Sequence, residues 1–200
     1  LGHKVRLFWC FHATHHTPED MNLSVTYAHF FLEAPYADTI RTTICILLGV
    51  DPATLFVIMF VDGTYGAFIH VGENLIRDAR FGFFNKIMLT PSHHRVHHAR
   101  NPLYIDTNYC NLLNIWDRVF GTYQRELPDV PCVYGIRGPI RSWNPLVALT
   151  HIYKDMFDDM RRTTRWRDRF RVLWARTGWQ PSDVAAKWPR QKSDLEQFVR

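Results

Sequence analysis

Two histidine clusters with the same spacing constrain this chain more than any other feature. Residues 12–16 read HATHH and residues 94–98 read HRVHH, so the pattern HxxHH occurs twice. On an α-helix, positions i, i+3 and i+4 lie on one face, and each cluster therefore presents three imidazoles in one direction. The sequence predicts two helices that each offer a group of nitrogen ligands.

Metal binding accounts for these clusters better than burial in a core. A single histidine on an apolar face is usually a satisfied core residue, and we expect this of His29 and His151. Neighbouring imidazoles in aromatic surroundings would leave several ring nitrogens without partners, at about 1–3 kcal/mol each. We therefore predict that the clusters bind metal. Imidazole suits zinc, iron, copper and nickel, so the ligand type alone does not identify the ion.

Local signals favour helices at both clusters. Thr90 and Pro91 predict the N-cap and first residue of the helix that carries the second cluster. Residues 17–20 (TPED) predict another helix start directly after the first cluster. His3 lies half a turn out of phase with His12 on a straight helix. Either the helix breaks near residues 7–9, or His3 lies outside the ligand shell.

The most apolar part of the chain lies between the clusters. Asp51 and Pro52 separate two apolar runs and predict a new helix start, so we expect a helical hairpin over about 36–50 and 52–70. Neither arm holds the ~20 uninterrupted apolar residues of a simple transmembrane span. Two interpretations stay open: a hairpin at a membrane interface or in protein-lined surroundings within a membrane, and a buried helical pair in a soluble bundle.

Composition limits the remaining possibilities. The 200 residues, 46 % apolar and 22 % charged, suit one domain or one domain with an appendage and exclude a disordered chain. The four cysteines lie far apart and form no CxxC pair, which argues against a disulfide framework or a zinc ribbon. The chain begins without Met close to a ligand-rich segment, and we expect it to be an N-terminal truncation. The net charge of +5 does not indicate nucleic acid.

The chain becomes Pro- and Arg-rich from about residue 128, where we predict helices over 142–162 and 164–176. The second predicted helix alternates Arg with Trp and Phe. This pattern fits either a solvated basic face or a helix that lies against anionic lipid headgroups. The fold prediction is an all-α, membrane-associated helical bundle, with a catalytic domain over 1–127 and a C-terminal helical extension over 128–200.

Further residues accompany the clusters: Asn101-Pro102, then residues 106–109 (DTNY), then residues 115–123 (IWDRVFGTY). Together with HATHH and HHRVHH, they resemble the fatty acid hydroxylase/sterol desaturase superfamily, closest to its alkylglycerol monooxygenase-like and bacterial sterol desaturase branch. The resemblance runs from His3 to about Tyr123.

The resemblance implies an integral membrane enzyme with two non-haem iron ions and an active site that faces the cytoplasm. Such an enzyme uses O2 and an external reductant, which is a separate electron-donor protein or a reduced cofactor, to hydroxylate or desaturate a C–H bond of a membrane lipid. The resemblance leaves the lipid open between a sterol, a fatty acid, an ether lipid and a carotenoid. No nucleic-acid partner is expected.

The resemblance also implies the metal ligands His3, His12, His15, His16, His70, His94, His97 and His98. Asn74 stands where many relatives have a further histidine, and the opening histidine of the first box would precede Leu1. Around the ligands we expect Asn74, His93, Asp106, Asn108 and Asp117, with Glu73 as a ligand or proton relay. The aromatic residues expected to wall a lipid slot, or to be ordinary core, are Phe8, Trp9, Phe11, Tyr104, Tyr109 and Trp116.

Two rival functions are disfavoured. A dinuclear zinc hydrolase would usually include Asp or Glu ligands, which the clusters lack. A non-catalytic metal-binding membrane protein fits poorly with the apolar, aromatic surroundings of the clusters. A soluble di-iron bundle with bridging carboxylates is excluded, because the chain contains no Glu-x-x-His sequence.

Overall fold

The computed structural model describes residues 2–136, 140, 142 and 144–188, and their regular structure is helical, as the sequence predicted. The end of the predicted C-terminal extension, residues 189–200, lies outside the described residues. The helices are α1 (Arg6–His16), α2 (Glu33–Leu47), α3 (Pro52–Ile69), α4 (Pro91–His98), α5 (Ile115–Val119), α6 (Pro145–Arg162), α7 (Trp166–Trp174) and α8 (Ser182–Lys187), with 3₁₀ turns at Leu23–Tyr27 and Gly82–Lys86.

The chain divides into two compact units. Unit 1 contains residues 1–17 and 136–200, and unit 2 contains residues 18–135. In unit 1, helices α1, α6 and α7 pack around Cys10, Met156 and Val172, which are all buried. The division into a catalytic domain over 1–127 and an extension over 128–200 stays a prediction.

A buried ion pair holds α1 against α6 within unit 1. The Arg6 guanidinium lies 2.6 Å from the Asp159 carboxylate, and both side chains are almost completely excluded from solvent. The Gln180 side-chain amide donates a further hydrogen bond to Asp159. Burying the two charges is tolerable only because they neutralise each other and because the guanidinium donates, and the carboxylate accepts, a further hydrogen bond. The pair therefore fixes the helix that carries the first histidine cluster.

Helix α1 ends at the first cluster, as predicted, but the predicted helix start at residues 17–20 is wrong. The chain turns there, and the next helical residues are the 3₁₀ turn at Leu23–Tyr27. Asn22 provides its cap, because the Asn22 side chain accepts a hydrogen bond from the Ser24 backbone N–H at 2.9 Å. Met21 and Val25, on either side of the cap, are buried against Tyr134.

The predicted hairpin is present as α2 and α3. The Asp51 carboxylate accepts a hydrogen bond from the Thr54 backbone N–H at 2.9 Å and caps α3, with Pro52 as its first residue. Helix α3 is long enough and apolar enough to cross a membrane, with a mean hydropathy of 1.5 over 18 residues, of which 11 % are buried. Phe56 and Phe60 on α3 and Leu47 on α2 are largely exposed. The exposure disfavours a pair buried in a soluble bundle.

Helix α4 begins as predicted, with Thr90 as N-cap and Pro91 as first residue. Its buried side contributes Val96, which packs with Ala99 and Tyr104 in the core of unit 2. In the C-terminal part of the chain, α6 and α7 correspond to the two helices predicted over 142–162 and 164–176.

Candidate metal-binding histidine sets

In unit 1, one imidazole just before α1 lies close to two imidazoles in the second half of that helix. We call His3, His12 and His16 the first histidine set, because one ring nitrogen of each lies within 4.8 Å of those of the other two. The Nε2 atoms of His12 and His16 are 3.1 Å apart. The His3 ring centroid is 4.7 Å from each of the other two rings.

His3 joins this set because the helix begins after it. Val5, in extended conformation, is the N-cap, and α1 starts at Arg6. The phase argument for a straight helix therefore does not apply to His3, and the break precedes residues 7–9. His15 lies slightly apart, with ring centroids 5.2 Å from His12 and 5.5 Å from His16. Around the helix axis, His16 is offset from His12 by ~40° and His15 by ~60° in the opposite direction, so the two side chains diverge.

In unit 2, the second histidine set consists of His70, at the end of α3, and His94 and His98, one turn apart on α4. All three are buried. The Nε2 atom of His94 lies 2.9 Å from Nε2 of His70 and 3.1 Å from Nε2 of His98. Three nitrogen atoms from two helices thus converge inside unit 2.

Hydrogen bonds between the three imidazoles cannot satisfy all of their Nε2 atoms. The Nδ1 atom of His70 donates to the Gly66 carbonyl oxygen at 2.6 Å, so Nε2 of neutral His70 carries a lone pair. A proton on Nε2 of His94 serves only one of its two contacts and obstructs the other. A cation satisfies all three lone pairs, and imidazole nitrogens ~2.1 Å from one ion at right angles to each other lie ~3 Å apart. The donor set fits a metal ion.

His97, the remaining histidine of the second cluster, is anchored to a carbonyl. Its Nδ1 atom donates to the Thr107 carbonyl oxygen at 3.0 Å, which places the lone pair on Nε2. Its ring centroid lies 5.3 Å from that of His94. A metal ligand commonly has its second ring nitrogen fixed in this way. His70 and His97 therefore both have the tautomer that a ligand requires.

A second buried ion pair fixes α4. Arg95, within the second cluster, lies 2.7 Å from the Glu126 carboxylate and also donates to the Ile76 and Arg77 carbonyl oxygens. Glu126 accepts a further hydrogen bond from the Ser92 hydroxyl at 2.7 Å. Arg95 is only 1 % exposed, and the Glu126 carboxylate balances its buried charge.

Asn108 and Asp117 build the loop that presents Thr107 to His97. Asn108 is buried with φ +51°, a left-handed conformation that Asn tolerates better than most residues. Its side-chain amide donates to the carbonyl oxygens of His93 and Gln124. The Asp117 carboxylate accepts hydrogen bonds from backbone N–H groups at Tyr109 and Cys110, and from the Thr122 hydroxyl. These two residues thus act on the loop backbone.

Asp106 also has a left-handed backbone, with φ +64°, and accepts a hydrogen bond from the Tyr109 hydroxyl at 2.8 Å. The Tyr109 ring lies against His97 with centroids 6.0 Å apart. Asp106 therefore holds an aromatic ring that contacts an imidazole of the second cluster.

His93 has different partners from its neighbour His94. Its Nδ1 atom accepts a hydrogen bond from the Thr90 backbone N–H, which completes the cap of α4. Its Nε2 atom donates to the Tyr123 hydroxyl at 3.0 Å. Burial, reinforced by the nearby Arg118 cation, lowers the pKa of His93 to about 4. The geometry gives His93 a structural role.

Glu73 and Asn74 lie outside the second histidine set. Both carboxylate oxygens of Glu73 are 2.9 Å from the Tyr134 hydroxyl, which donates to them. Burial, with the nearby Cys132 and this carboxylate, raises the pKa of Tyr134. Asn74 lines a cavity of about 330 Å³ together with Met21 and Leu75. The family resemblance predicted that Asn74 lies next to the metal ligands, and this stays a prediction.

The aromatic residues near the clusters have different environments. Trp9 packs against the first set, with ring centroids 5.5 Å from His3 and 5.5 Å from His16. Tyr104 is buried in the core of unit 2, and Trp116 is 57 % exposed. Phe8 contacts Trp174 and Phe11 contacts Tyr153 within unit 1. Trp9 and Tyr109 are therefore the aromatic residues of this group that contact imidazoles within their own unit.

The family described as fatty acid hydroxylase matches residues 1–122 of this chain. The chain belongs to the fatty acid hydroxylase family. The match covers both histidine sets and the loop that ends at Thr122. No solved structure matches the chain.

Curated relatives of this fatty acid hydroxylase family chain include two vertebrate enzymes and a bacterial one. It is 34 % identical to alkylglycerol monooxygenase of Homo sapiens over 90 % of this chain and 39 % of the relative. The protein of the same name from Xenopus tropicalis is 32 % identical over 96 % of this chain and 41 % of the relative. Ornithine lipid hydroxylase OlsE of Rhizobium tropici is 30 % identical over 70 % of this chain and 41 % of that relative. The chain spans about two fifths of the length of these relatives.

Sequence reasoning missed several supporting residues. Glu126 and Thr107 contact Arg95 and His97 but lie in loops without a helical or strand periodicity. His29 was expected in a core, yet it is exposed and bound to the Glu33 carboxylate at 2.7 Å. The i, i+4 spacing of this last pair was a signal that could have identified it.

Proposed function

We propose that the protein containing this chain is an O2-dependent, non-haem di-iron oxidoreductase that hydroxylates a C–H bond of a membrane lipid. The observation that carries the proposal is the convergence of three Nε2 atoms in the second set, where Nε2 of His94 lies 2.9 Å from that of His70 and 3.1 Å from that of His98. The first set offers a comparable group of nitrogens in unit 1. The proposed ligands are His3, His12, His15, His16, His70, His94, His97 and His98.

Iron suits the chemistry that family membership indicates. An unactivated C–H bond is beyond acid–base side chains, so a redox-active metal has to supply the oxidising power when bound. Neutral imidazoles bind iron well, as they do zinc, copper and nickel. Inserting one oxygen atom of O2 into a C–H bond gives C–OH, and two electrons and two protons convert the other atom to water. We propose that the electrons come from a separate donor protein.

The contribution of the chain's own residues is positioning. The carbonyl oxygens of Gly66 and Thr107 accept hydrogen bonds from Nδ1 of His70 and His97, which leaves the lone pair on Nε2 of each ring, the atom that would bind a metal. The buried Arg95–Glu126 pair prevents rotation of α4. Asn108 and Asp117 hold the loop in the conformation that presents Thr107. Trp9 and Tyr109 shield imidazoles of their own units from water.

The relatives support a lipid that carries a polar headgroup as substrate. One group of relatives is named for an alkylglycerol and another for an ornithine lipid. Both names denote an apolar chain joined to a polar group, and both relatives are named as a monooxygenase or hydroxylase. We therefore favour hydroxylation over desaturation, and an ether lipid or related headgroup lipid over a sterol.

We further propose that the protein is integral to a membrane, with its active site on the cytoplasmic side. The exposed apolar hairpin of α2 and α3 supports insertion, because Phe56 and Phe60 would otherwise face water. The acidic N-cap at the hairpin tip, Asp51, suits a position near headgroups or in protein-lined surroundings.

Metal analysis combined with an oxygen assay tests the proposal. The full-length protein, purified in detergent, is expected to contain about two iron ions per chain, in line with one ion for each histidine set. With an alkylglycerol lipid and a chemical reductant, it should consume O2 and yield a product containing one atom from ¹⁸O2. Stoichiometric zinc with O2-independent hydrolysis of the lipid would contradict the proposal.

A further inference from the structure

Helix α7 presents an aromatic face to the outside of unit 1. Trp166, Phe170 and Trp174 are 66 %, 64 % and 63 % exposed. They follow one another at intervals of four residues and therefore span only ~80° around the helix. The buried residue of α7, Val172, lies ~200° away from Phe170. The aromatic face is thus directed away from the core that α7 covers, where a helix in water normally places polar side chains.

Arginines surround this aromatic face. Between Arg161 and Arg176 the chain contains seven arginines and one aspartate. Around the axis of α7, Arg167 and Arg171 lie beside one edge of the aromatic face, and Arg169 lies beside the other edge. The Arg167 guanidinium lies over the Trp166 ring, 5.5 Å from its centroid. Positive charge is therefore concentrated at the edges of an exposed aromatic surface.

A membrane interface matches this combination. Tryptophan and phenylalanine partition into the headgroup region, while flanking arginines attract anionic headgroups. A helix of nine residues is too short to span a bilayer, but it is long enough to lie in the plane of one. A protein partner would match the aromatic residues but would have to neutralise several arginines around them.

The exposed side of helix α6 has a different composition from that of α7. Its exposed side mixes Leu146 and Phe157 with Thr150, Lys154 and Arg161. Such a mixed surface is ordinary for a soluble face. The aromatic enrichment is therefore a property of α7 and not of unit 1 as a whole.

We propose that the aromatic face of α7 is a docking surface that lies in the headgroup region of an anionic membrane. Trp166, Phe170 and Trp174 enter the interface, and Arg167, Arg169 and Arg171 contact lipid phosphates. This surface shares no residue with the histidine sets or with the apolar hairpin. It anchors unit 1 by its own contacts with lipid.

Position-specific fluorescence tests the docking of α7. An environment-sensitive fluorescent amino acid is encoded at position 170 in the full-length protein and, as a matched control, at position 154 on α6. Each protein is reconstituted into nanodiscs of phosphatidylcholine, with or without phosphatidylglycerol, that contain a lipid with a nitroxide near its headgroup. We expect about threefold stronger quenching at position 170 than at 154, and stronger quenching in the anionic discs.

Three results would overturn the proposal. Unquenched, water-like emission at position 170 would show that the face remains in solvent. Blue-shifted emission that the nitroxide leaves unquenched would show that protein, such as a second copy of this chain, covers the face. Equal quenching at positions 170 and 154 would remove the assignment to α7.

Charge variants test the role of the arginines separately. Arg167→Gln combined with Arg171→Gln should abolish the difference in quenching at position 170 between anionic and neutral discs. Arg77→Gln combined with Arg80→Gln removes the same charge from unit 2 and should preserve it. If the first double variant retains the full preference for anionic lipid, the arginines of α7 do not bind the headgroups.

Discussion

Helices α1 and α4 carry the same HxxHH pattern but assemble their histidine sets differently. The first set comes from one short stretch, residues 3–16, and needs only α1 and the turn before it. The second set combines α4 with His70 at the end of α3, and so depends on how two helices pack. A shared motif therefore does not imply a shared mode of assembly.

The two helices also share a method of anchoring. A buried arginine–carboxylate pair fixes each one: Arg6–Asp159 for α1 and Arg95–Glu126 for α4. Arg95 lies within its cluster, whereas Arg6 lies six residues before His12. Disturbing the Arg95 pair should therefore affect ligand geometry directly, while disturbing the Arg6 pair should affect the docking of the whole helix.

The largest expected effect comes from removing a central ligand. His94→Ala should lower activity by at least about a hundredfold, because even residues that only orient ligands contribute up to that much. Metal analysis should show the loss of about one iron ion per chain if each set holds its own ion. His12→Ala should give the same result through the first set.

His151→Ala is the matched control, because His151 is a half-buried histidine on α6 whose Nδ1 donates to the Ala148 carbonyl oxygen. It should retain both iron and activity. Full activity of His94→Ala would refute the role of the second set as a ligand group.

The next largest effects are expected from breaking the two buried ion pairs. Asp159→Asn leaves the Arg6 charge buried without its counter-ion and should lower the free energy of unfolding by about 3–5 kcal/mol. Glu126→Gln should cost less, about 2–3 kcal/mol, because the Glu126 side chain is 22 % exposed. Thermal unfolding followed by circular dichroism measures both.

Lys154→Gln breaks an exposed pair with Asp158 and serves as the control, with an expected loss below about 0.5 kcal/mol. An equal loss in all three variants would show that burial does not govern these pairs. Glu126→Gln should also reduce activity more strongly than Asp159→Asn does in the folded fraction, since Arg95 adjoins His94.

Asn108→Ala should lower the free energy of unfolding by about 2–4 kcal/mol, because it removes buried hydrogen bonds and strains a left-handed residue. It should also lower activity about tenfold by displacing the Thr107 carbonyl from His97. Asn108→Gly keeps the backbone conformation accessible, and should therefore be less destabilised. If glycine is as harmful as alanine, the side-chain hydrogen bonds account for the whole effect.

The smallest effect is expected at the tip of the hairpin. Asp51→Ala removes the N-cap of α3 and should lower the free energy of unfolding by about 1 kcal/mol. Asp51→Asn keeps an acceptor for the Thr54 N–H and should be close to neutral. Iron content should be unchanged in both, so a loss of iron would link the hairpin tip to the metal sets.

Elements with strong local signals could be predicted from the sequence. The hairpin was predicted from Asp51, Pro52 and two apolar runs, and α4 from Thr90 and Pro91. The predicted start at residues 17–20 failed because a capping residue followed by proline does not make a helix without apolar periodicity behind it. Asn22, next to two core residues, provided the cap instead.

The sequence by itself determined that this chain is helical, that it carries two imidazole-rich helices and that it resembles one enzyme family. Those properties depend on spacing, capping and residue type, which act over a few residues. The tertiary structure decided that His3 joins His12 and His16, that His70 joins His94 and His98, and that Glu126 and Thr107 support α4. These contacts join residues that no local periodicity connects, so only the packing of the chain could reveal them.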